Sequence, residues 1–371
     1  MKIAQVAPLF ESVPPKLYGG TERVVSYLTE ELVRLGHDVT LFASGDSVTQ
    51  AKLVACCERS LRLDPGVRDQ LAYQVLMLEE VAKRADEFDF VHFHVDYFHY
   101  PVSRRLAARH LTTLHGRLDL PELVPLYLEF SEMPVVAISE AQRVPLPHAN
   151  WVGTVHHGLP LDLLRFQPEP GRYLAFVGRI SPEKRVDRAI EIARRAGIEL
   201  RIAAKVDPAD RLYFETVIAP LLEGPYVEYV GEIGDAEKSE FLGGALALVF
   251  PIDWPEPFGL VMIESMACGT PVIAFDNGSV PEVIDPGVTG VIVNDVASAV
   301  AAIETVAAMD RAQCRKRFEE RFSAERMARD YLALYEKLLA EPAPARAQDL
   351  LLAPALTAPP VPGSVPSEAS H

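Results

Sequence analysis

Residues 255–275 of the chain read PEPFGLVMIESMACGTPVIAF, and two glutamates in that stretch, Glu256 and Glu264, stand with seven residues between them. Pro255 and Pro257 bracket the first, Phe258 and Gly259 follow it, and the apolar run 260–263 leads to the second. Proline is tolerated at a helix start, so the pattern predicts Glu256 just before a helix N-terminus and Glu264 about two turns in. At a rise of roughly 1.5 Å per residue, the carboxylates then lie about 10 Å apart. A compact acid/base pair would be closer. The spacing suits two hydroxyl-bearing groups at opposite ends of one ligand, with the free N–H groups of the helix end between them. A sugar joined through a diphosphate to a ribose has this shape. The plainer alternative is a surface carboxylate plus a partner for the helix dipole.

Outward from this stretch, strand-like apolar runs alternate with helical patterns along most of the chain, which is the signature of parallel α/β layers. In the first half, strands are expected near 2–9, 38–44, 89–94, 111–115, 134–139 and 151–156. Val24, Val25, Leu28, Leu32 and Leu35 share one helix face, and Gly36 stops that helix. The segment RFQPEPGR (165–172) reads as a linker. A second cycle follows: strand 173–178, helix 183–196, strand 198–206, helix 208–222, strand 227–231, helix 235–245 and strand 246–252, with strands near 271–275 and 290–293 after the paired glutamates. Helices are expected between about 296 and 340. Two doubly wound sheets joined by a short linker leave a cleft outside the carboxyl ends of their strands, where ligands bind.

Several positions on those strand ends carry chemistry. Gly19 and Gly20 precede a helix, where glycine lets the backbone approach an oxyanion and the helix end favours negative charge; a plain turn is the alternative. The spacing is not G-x-G-x-x-G, which counts against a dinucleotide fingerprint. Arg179 and Lys184, in VGRISPEKR, flank a helix start and form a site for a diphosphate. His115 ends the strand of LTTLHG. His92 and His94 share one strand face in FVHFHVDYFHY, with His99 nearby. Zinc needs three or four converging ligands and nothing completes a set, so packing or substrate-side roles are expected for these three.

The paired glutamates and following strand, together with GGTERVV, LGHDVTLFA, TLHG and FVGRISPEKR in that order, resemble the retaining glycosyltransferases of family 4, from Met1 to about Leu339. The resemblance implies the α/β GT-B fold: two doubly wound Rossmann-like domains facing across a cleft. Residues 1–165 would form the acceptor-side domain and 172–322 the nucleotide-sugar domain, with a helix at 323–340 crossing back to the first. It implies that Gly19 and Gly20 face the donor phosphate or sugar, and that Arg179 and Lys184, beside Gly178, neutralise the β-phosphate of the leaving group. His115 would reach the donor sugar near the reacting carbon. Gly231 and Ile233 would lie by the nucleobase, Glu264 on the ribose hydroxyls, and Glu256 on the sugar hydroxyls with the N–H groups of Phe258, Gly259 and Leu260. Of these, His115, Glu256, Arg179 and Lys184 would be catalytic. Asp96 and Ser139 would lie on the acceptor side, and His157 and Gly158 also match cleft positions. The family often has glycine after the lysine, where this chain has Arg185, which is placed to share the phosphate.

The same resemblance implies retention at the anomeric carbon, with the leaving phosphate assisting deprotonation of the acceptor. The opening is similar to bacterial enzymes that glucosylate pteridines from UDP-glucose, which implies that donor and a small soluble acceptor; lipid or polysaccharide acceptors are the alternative. A GT-B nucleotide-sugar epimerase would share the base site, and a nicotinamide-dependent oxidoreductase would need the glycine fingerprint that is missing. No D-x-D occurs, so no metal and no cofactor are expected, the nucleotide sugar being a substrate.

The chain has 371 residues, enough for two such domains, and a net charge of −16. Both halves are acidic, which argues against nucleic acid and anionic lipid as partners. The four cysteines (Cys56, Cys57, Cys268 and Cys314) show no ligand spacing and read as reduced thiols. No apolar run of 18 residues and no signal peptide is evident, so a cytoplasmic protein is expected. Residues 341–371, with seven prolines, read as a disordered tail in which Asp349–Leu352 offers at most a short docking segment.

Overall fold

The computed structural model describes residues 1–16, 19–224 and 226–341. The expected tail, apart from its first residue, lies outside the described residues.

Two all-parallel sheets form the frame. The first contains β1 (Lys2–Val6), β2 (Asp38–Ser44), β3 (Lys52–Cys57), β4 (Phe90–Phe93), β5 (His110–Thr113), β6 (Val135–Ala137) and β7 (Trp151–Thr154), in the order β3-β2-β1-β4-β5-β6-β7. The second contains β8 (Tyr173–Arg179), β9 (Leu200–Lys205), β10 (Val227–Gly231), β11 (Ala245–Phe250), β12 (Val272–Phe275) and β13 (Gly290–Val293), in the order β10-β9-β8-β11-β12-β13. Helices cover both sheets, so the central strands are buried on both faces and read as continuous apolar runs. In each sheet the winding direction reverses once, between β1 and β4 and between β8 and β11. Crevices at such reversals are where α/β sheets bind ligands. Gly19, His94 and Glu256 lie on the loops that leave β1, β4 and β11, and Arg179 is the last residue of β8.

Three expectations are corrected. Strand β3 was not foreseen: it is a half-exposed edge strand, KLVACC, with too little alternation to stand out. The helix after Glu256 spans only Leu260–Ala267 and begins at Gly259, which takes φ 78°. Glu256 therefore sits on an irregular loop four residues ahead of it, and Glu264 is a little over one turn in. Segment 208–222 is a chain of short 3₁₀, α and π turns rather than one helix, with prolines at 208 and 220 interrupting it.

The last helix, Ala324–Ala340, crosses back to the first sheet, where Tyr331 and Tyr335 are buried. The crossing is stapled to the other inter-domain segment. The N–H of Leu159 donates to Phe322 O (2.9 Å), that of Ala324 to Leu159 O (2.8 Å), and Arg326 Nη2 to the carbonyls of His156 (2.7 Å) and His157 (2.9 Å). The linker 165–172 is not loose: Gln167 N–H donates to Cys268 O (3.0 Å), and the buried Arg311 donates to Gln167 O (2.7 Å).

A third tie joins the domains. Glu282 accepts from the backbone N–H groups of Glu140 and Ala141 (2.7 Å each) and from His156 Nε2 (3.1 Å). Burial pushes its carboxyl up, but these bonds outweigh it and hold the folded value below the ordinary 4.5. A depressed folded value stabilises above the unfolded value and loses that contribution as pH falls through the folded one. The wild type is thus expected to be more stable than Glu282→Gln near pH 7. The difference, of the order of 1–3 kcal/mol for bonds to a charged acceptor, should fade below about pH 4.5. Melting curves of both proteins from pH 3.5 to 7.5 check this; a difference that does not change with pH counts against it.

Candidate active site

One cavity of about 590 Å³ lies between the two sheets and is lined by both domains. This size suits a cofactor- or nucleotide-sized molecule. From the second domain come Gly178, Arg179, Lys184, Lys205, Ile233, Lys238, Trp254, Glu256 and residues 258–261 with Glu264. From the first come Gly19, Gly20, Arg62, Gln74, His94, Asp96 and His115.

The cationic part starts at the end of β8. Arg179 pairs with Glu183 (2.6 Å), with Asp207 and Asp210 at 3.7 and 3.6 Å. Lys184 closes the turn Pro182–Lys184, its ammonium against the Glu256 carboxylate and 4.9 Å from the centre of the Trp254 ring. Glu256 is buried and also accepts from Trp254 Nε1 (2.9 Å). Arg185 does not share this site. It takes a left-handed conformation (φ 53°, ψ 51°) and binds Asp187 and Asp253, each at 2.8 Å. Glycine adopts that conformation without cost; in this chain the arginine that takes it is held by the two ion pairs.

A little over one turn into the short helix, Glu264 is buried and accepts from Lys238 Nζ (2.7 Å). Lys238 also lies 3.6 Å from Asp235, which is ion-paired with Arg23 of the first domain. Gly231 takes φ 81° at the end of β10 and does not line the cavity; it turns the chain so that Glu232 and Ile233 do.

On the first-domain wall, His115 Nε2 is 2.9 Å from His94 Nδ1, and the ring lies parallel to His157 with centres 5.4 Å apart. Burial pushes the His115 imidazole down to about 3, so it is neutral at ordinary pH. Asp96 lines the cavity in a left-handed conformation (φ 50°), and burial pushes its carboxyl up to about 6. The same cavity is lined by Gln74, whose buried Nε2 has no partner among the described residues.

The other expected residues lie elsewhere. Ser139 is fully buried outside the cavity lining, its hydroxyl donating to Pro257 O (2.6 Å) and accepting from Gln142 N–H (3.1 Å). It braces the loop that carries Glu256 instead of facing an acceptor. His92 and His99 are packing residues: His99 stacks on Phe93 with centres 3.7 Å apart, and His92 is bonded to Tyr335 and Thr113. Gly158 packs against the backbone of Ser323 at the domain crossing. Lys238, Trp254 and Gln74 escaped the sequence reading. Trp254 could have been found, since it stands two residues before Glu256; Lys238 meets its partner across 26 residues of chain. Among the described residues no group of three or more His, Cys, Asp or Glu is placed to hold a metal ion, and no helix is long and apolar enough to cross a membrane.

Comparison with known proteins identifies the family and the fold. Residues 18–152 match the family described as Glycosyltransferase Family 4, and 165–322 the family described as Glycosyl transferases group 1. The chain is 26% identical to an alpha-maltose-1-phosphate synthase of Mycolicibacterium smegmatis, over 91% of this chain and all of that protein. It is 31% identical to a D-inositol 3-phosphate glycosyltransferase of Mycobacterium marinum, over 41% of this chain and 36% of that one. The sucrose-phosphate synthase of Thermosynechococcus elongatus shares the fold, with TM-score 0.76 and 20% identity over 92% of this chain and 99% of that one. So does Anabaena HepE, solved in complex with UDP and glucose, with TM-score 0.70 and 17% identity over 91% of this chain and all of the other.

Proposed function

The chain belongs to the family 4 glycosyltransferases of GT-B type, and from that premise we propose that it moves a hexose from a nucleotide diphosphate sugar to an acceptor hydroxyl, with retention at the anomeric carbon. The observation that carries this reading is the order of groups along one cavity. Glu264 lies a little over one turn into a short helix, Glu256 on the loop before that helix with Lys184 against it, and Arg179 lines the same cavity. In the proposed complex, Glu264 accepts from the ribose hydroxyls and Glu256 from those of the sugar. Lys184 and Arg179 neutralise the charge that grows on the phosphate as the sugar–oxygen bond breaks. The leaving phosphate then takes the acceptor proton, on the same face as the departing group.

UDP-glucose is the donor we favour, since a protein of the same fold has been solved with UDP-glucose. A small, soluble, polar acceptor fits the first-domain end, where Asp96, Gln74 and Arg62 face the cavity. The positive side chains at the phosphates make a bound metal unnecessary for charge neutralisation, so metal-independent turnover belongs to the proposal. A panel of nucleotide sugars tests it through thermal stabilisation, because a tight ligand raises the melting temperature by mass action. One nucleotide diphosphate hexose should stabilise the protein equally with and without excess chelator, and the product anomer should match the donor. Strict dependence on manganese or magnesium overturns the metal-free reading, and an inverted product overturns retention. Conversion of the donor alone into a different sugar favours an epimerase instead.

A further inference from the structure

Lys238 is a cation in the cavity wall that the proposed chemistry does not use. It stands one turn into the helix Asp235–Gly243, whose N-terminus is fixed by Glu237, the carboxylate accepting from Gly234 N–H (3.0 Å). Lys238 Nζ donates to Glu264 Oε1 (2.7 Å) and lies 3.6 Å from Asp235 Oδ1. The Lys238 side chain is 13% exposed and that of Glu264 5%. Asp235 is in turn ion-paired with Arg23, a buried residue of the first domain. Glu264 Oε2 makes no hydrogen bond among the described residues, and it is not sealed off as the buried, unpartnered atoms are. It therefore opens onto the cavity that Glu264 lines.

A cation near a helix N-terminus opposes the helix dipole. Two charges taken out of water regain little net stability by pairing. Neither helix formation nor folding energy thus accounts for a lysine at 238. What the pairing supplies is geometry. The lysine ammonium is a compact point charge, and here it sits on one carboxylate oxygen. With Oε1 held, the Glu264 carboxylate keeps one orientation, and Oε2 stays toward the cavity. A carboxylate free to turn would have to be ordered each time a ligand bound, and affinity would fall by that cost.

We infer that Lys238 is a positioning residue, which pins one oxygen of Glu264 so that the other receives the ribose hydroxyls of the donor. Asp235, held from across the cleft by Arg23, keeps Lys238 in place, so both domains shape the ribose end. This rests on the proposed reading that Glu264 serves the ribose.

The test is calorimetric binding of UDP, ADP and GDP, and of their 2′-deoxy and 3′-deoxy counterparts, to the full chain. The wild type should hold one ribonucleotide about tenfold to a hundredfold more tightly than a deoxy form, the worth of a hydrogen bond to a charged acceptor. Lys238→Met should bring that ratio to threefold or less, chiefly by weakening the ribonucleotide. A lysine with a merely structural role would weaken both forms by one factor and leave the ratio intact. Glu264→Gln should also lower the ratio, and adding Lys238→Met to it should change the ratio no further, because the lysine acts through the glutamate. Lys238→Gln replaces the methionine variant if that fails to fold, and should lower the ratio at least threefold. An unchanged ratio in the lysine variant, or a further drop in the double variant, overturns this inference alone. Wild-type binding with no preference for the ribose overturns the assignment of Glu264 and this inference with it. Failure of every nucleoside diphosphate to bind overturns the proposed function itself.

Discussion

Replacing Lys184 by methionine is expected to lower kcat/KM for the sugar donor by roughly a hundredfold to a thousandfold, the range seen when one preorganised group facing developing charge is lost. Methionine keeps an apolar stem against Phe250 and Trp254, over which the ammonium now lies. What it removes is the charge. Two losses follow: the phosphate loses a cation, and among the described residues the Glu256 carboxylate keeps the Trp254 N–H as a donor but has no cation against it. A bare carboxylate beside a diphosphate then repels what the lysine attracted. The phosphate charge grows as the bond breaks, so kcat should fall more than the donor KM rises. Lys184→Arg keeps the charge and should recover most of the activity. Initial rates across donor concentration decide this, and a Lys184→Met enzyme within threefold of wild type would remove the basis of the proposed function.

The second large effect is expected at a glycine that touches no substrate. Gly278 takes φ 56°, and a β-carbon there would overlap the backbone nitrogen and oxygen of Glu256 and lie 2.7 Å from the carbonyl carbon of Pro255. Its neighbours hold the same loop: Ser279 N–H donates to Glu256 O (3.0 Å), and Ser279 Oγ to Phe258 O (2.8 Å). Gly278→Ala must therefore push the Glu256 loop outward. A displacement of about 1 Å at a catalytic group costs on the order of a hundredfold in rate, and the strained backbone adds a stability loss of about 1–3 kcal/mol. Gly287→Ala separates the two effects. It has the same handedness (φ 82°) with nothing within 4 Å of an added β-carbon. It should lower the melting temperature modestly and leave kcat unchanged. Equal activity losses in both variants would show that the damage is general strain and not movement of Glu256.

The frame and the chemistry of the site were legible to different degrees. Central strands such as β1, β8 and β11 are buried on both faces, so their apolar runs stood out, and the alternation with helices fixed the parallel class. The edge strand β3 has one poorly covered side, and its sequence carries little of the pattern that burial imposes. Arg179, Lys184, His115 and Glu256 were found because they lie at or shortly after strand ends, where local spacing reports position, and Glu264 because it stands at a fixed spacing from Glu256. The boundary of the Glu256 helix was missed because Gly259 in a left-handed conformation, and not the prolines, sets it. The Lys238–Glu264 contact is a long-range pairing, and Gln74 reaches the cavity from a helix distant in sequence, so no local pattern announces either. Ser139 has the composition of a substrate contact; only the approach of Pro257 from the other domain shows that its hydroxyl is already engaged.

The crossing helix has a consequence for how the polypeptide is made and how it can be recombined. Tyr331 and Tyr335 complete the interior beneath the first sheet, yet they follow the whole of the second sheet in the chain. The amino-terminal half must therefore emerge from the ribosome with part of its interior missing, and hold that state while the carboxyl-terminal half assembles. A chimaera that grafts the first 165 residues of one relative onto the remainder of another would join a sheet to a foreign plug. Recombination that respects the protein would exchange both segments together and leave the middle of the chain untouched.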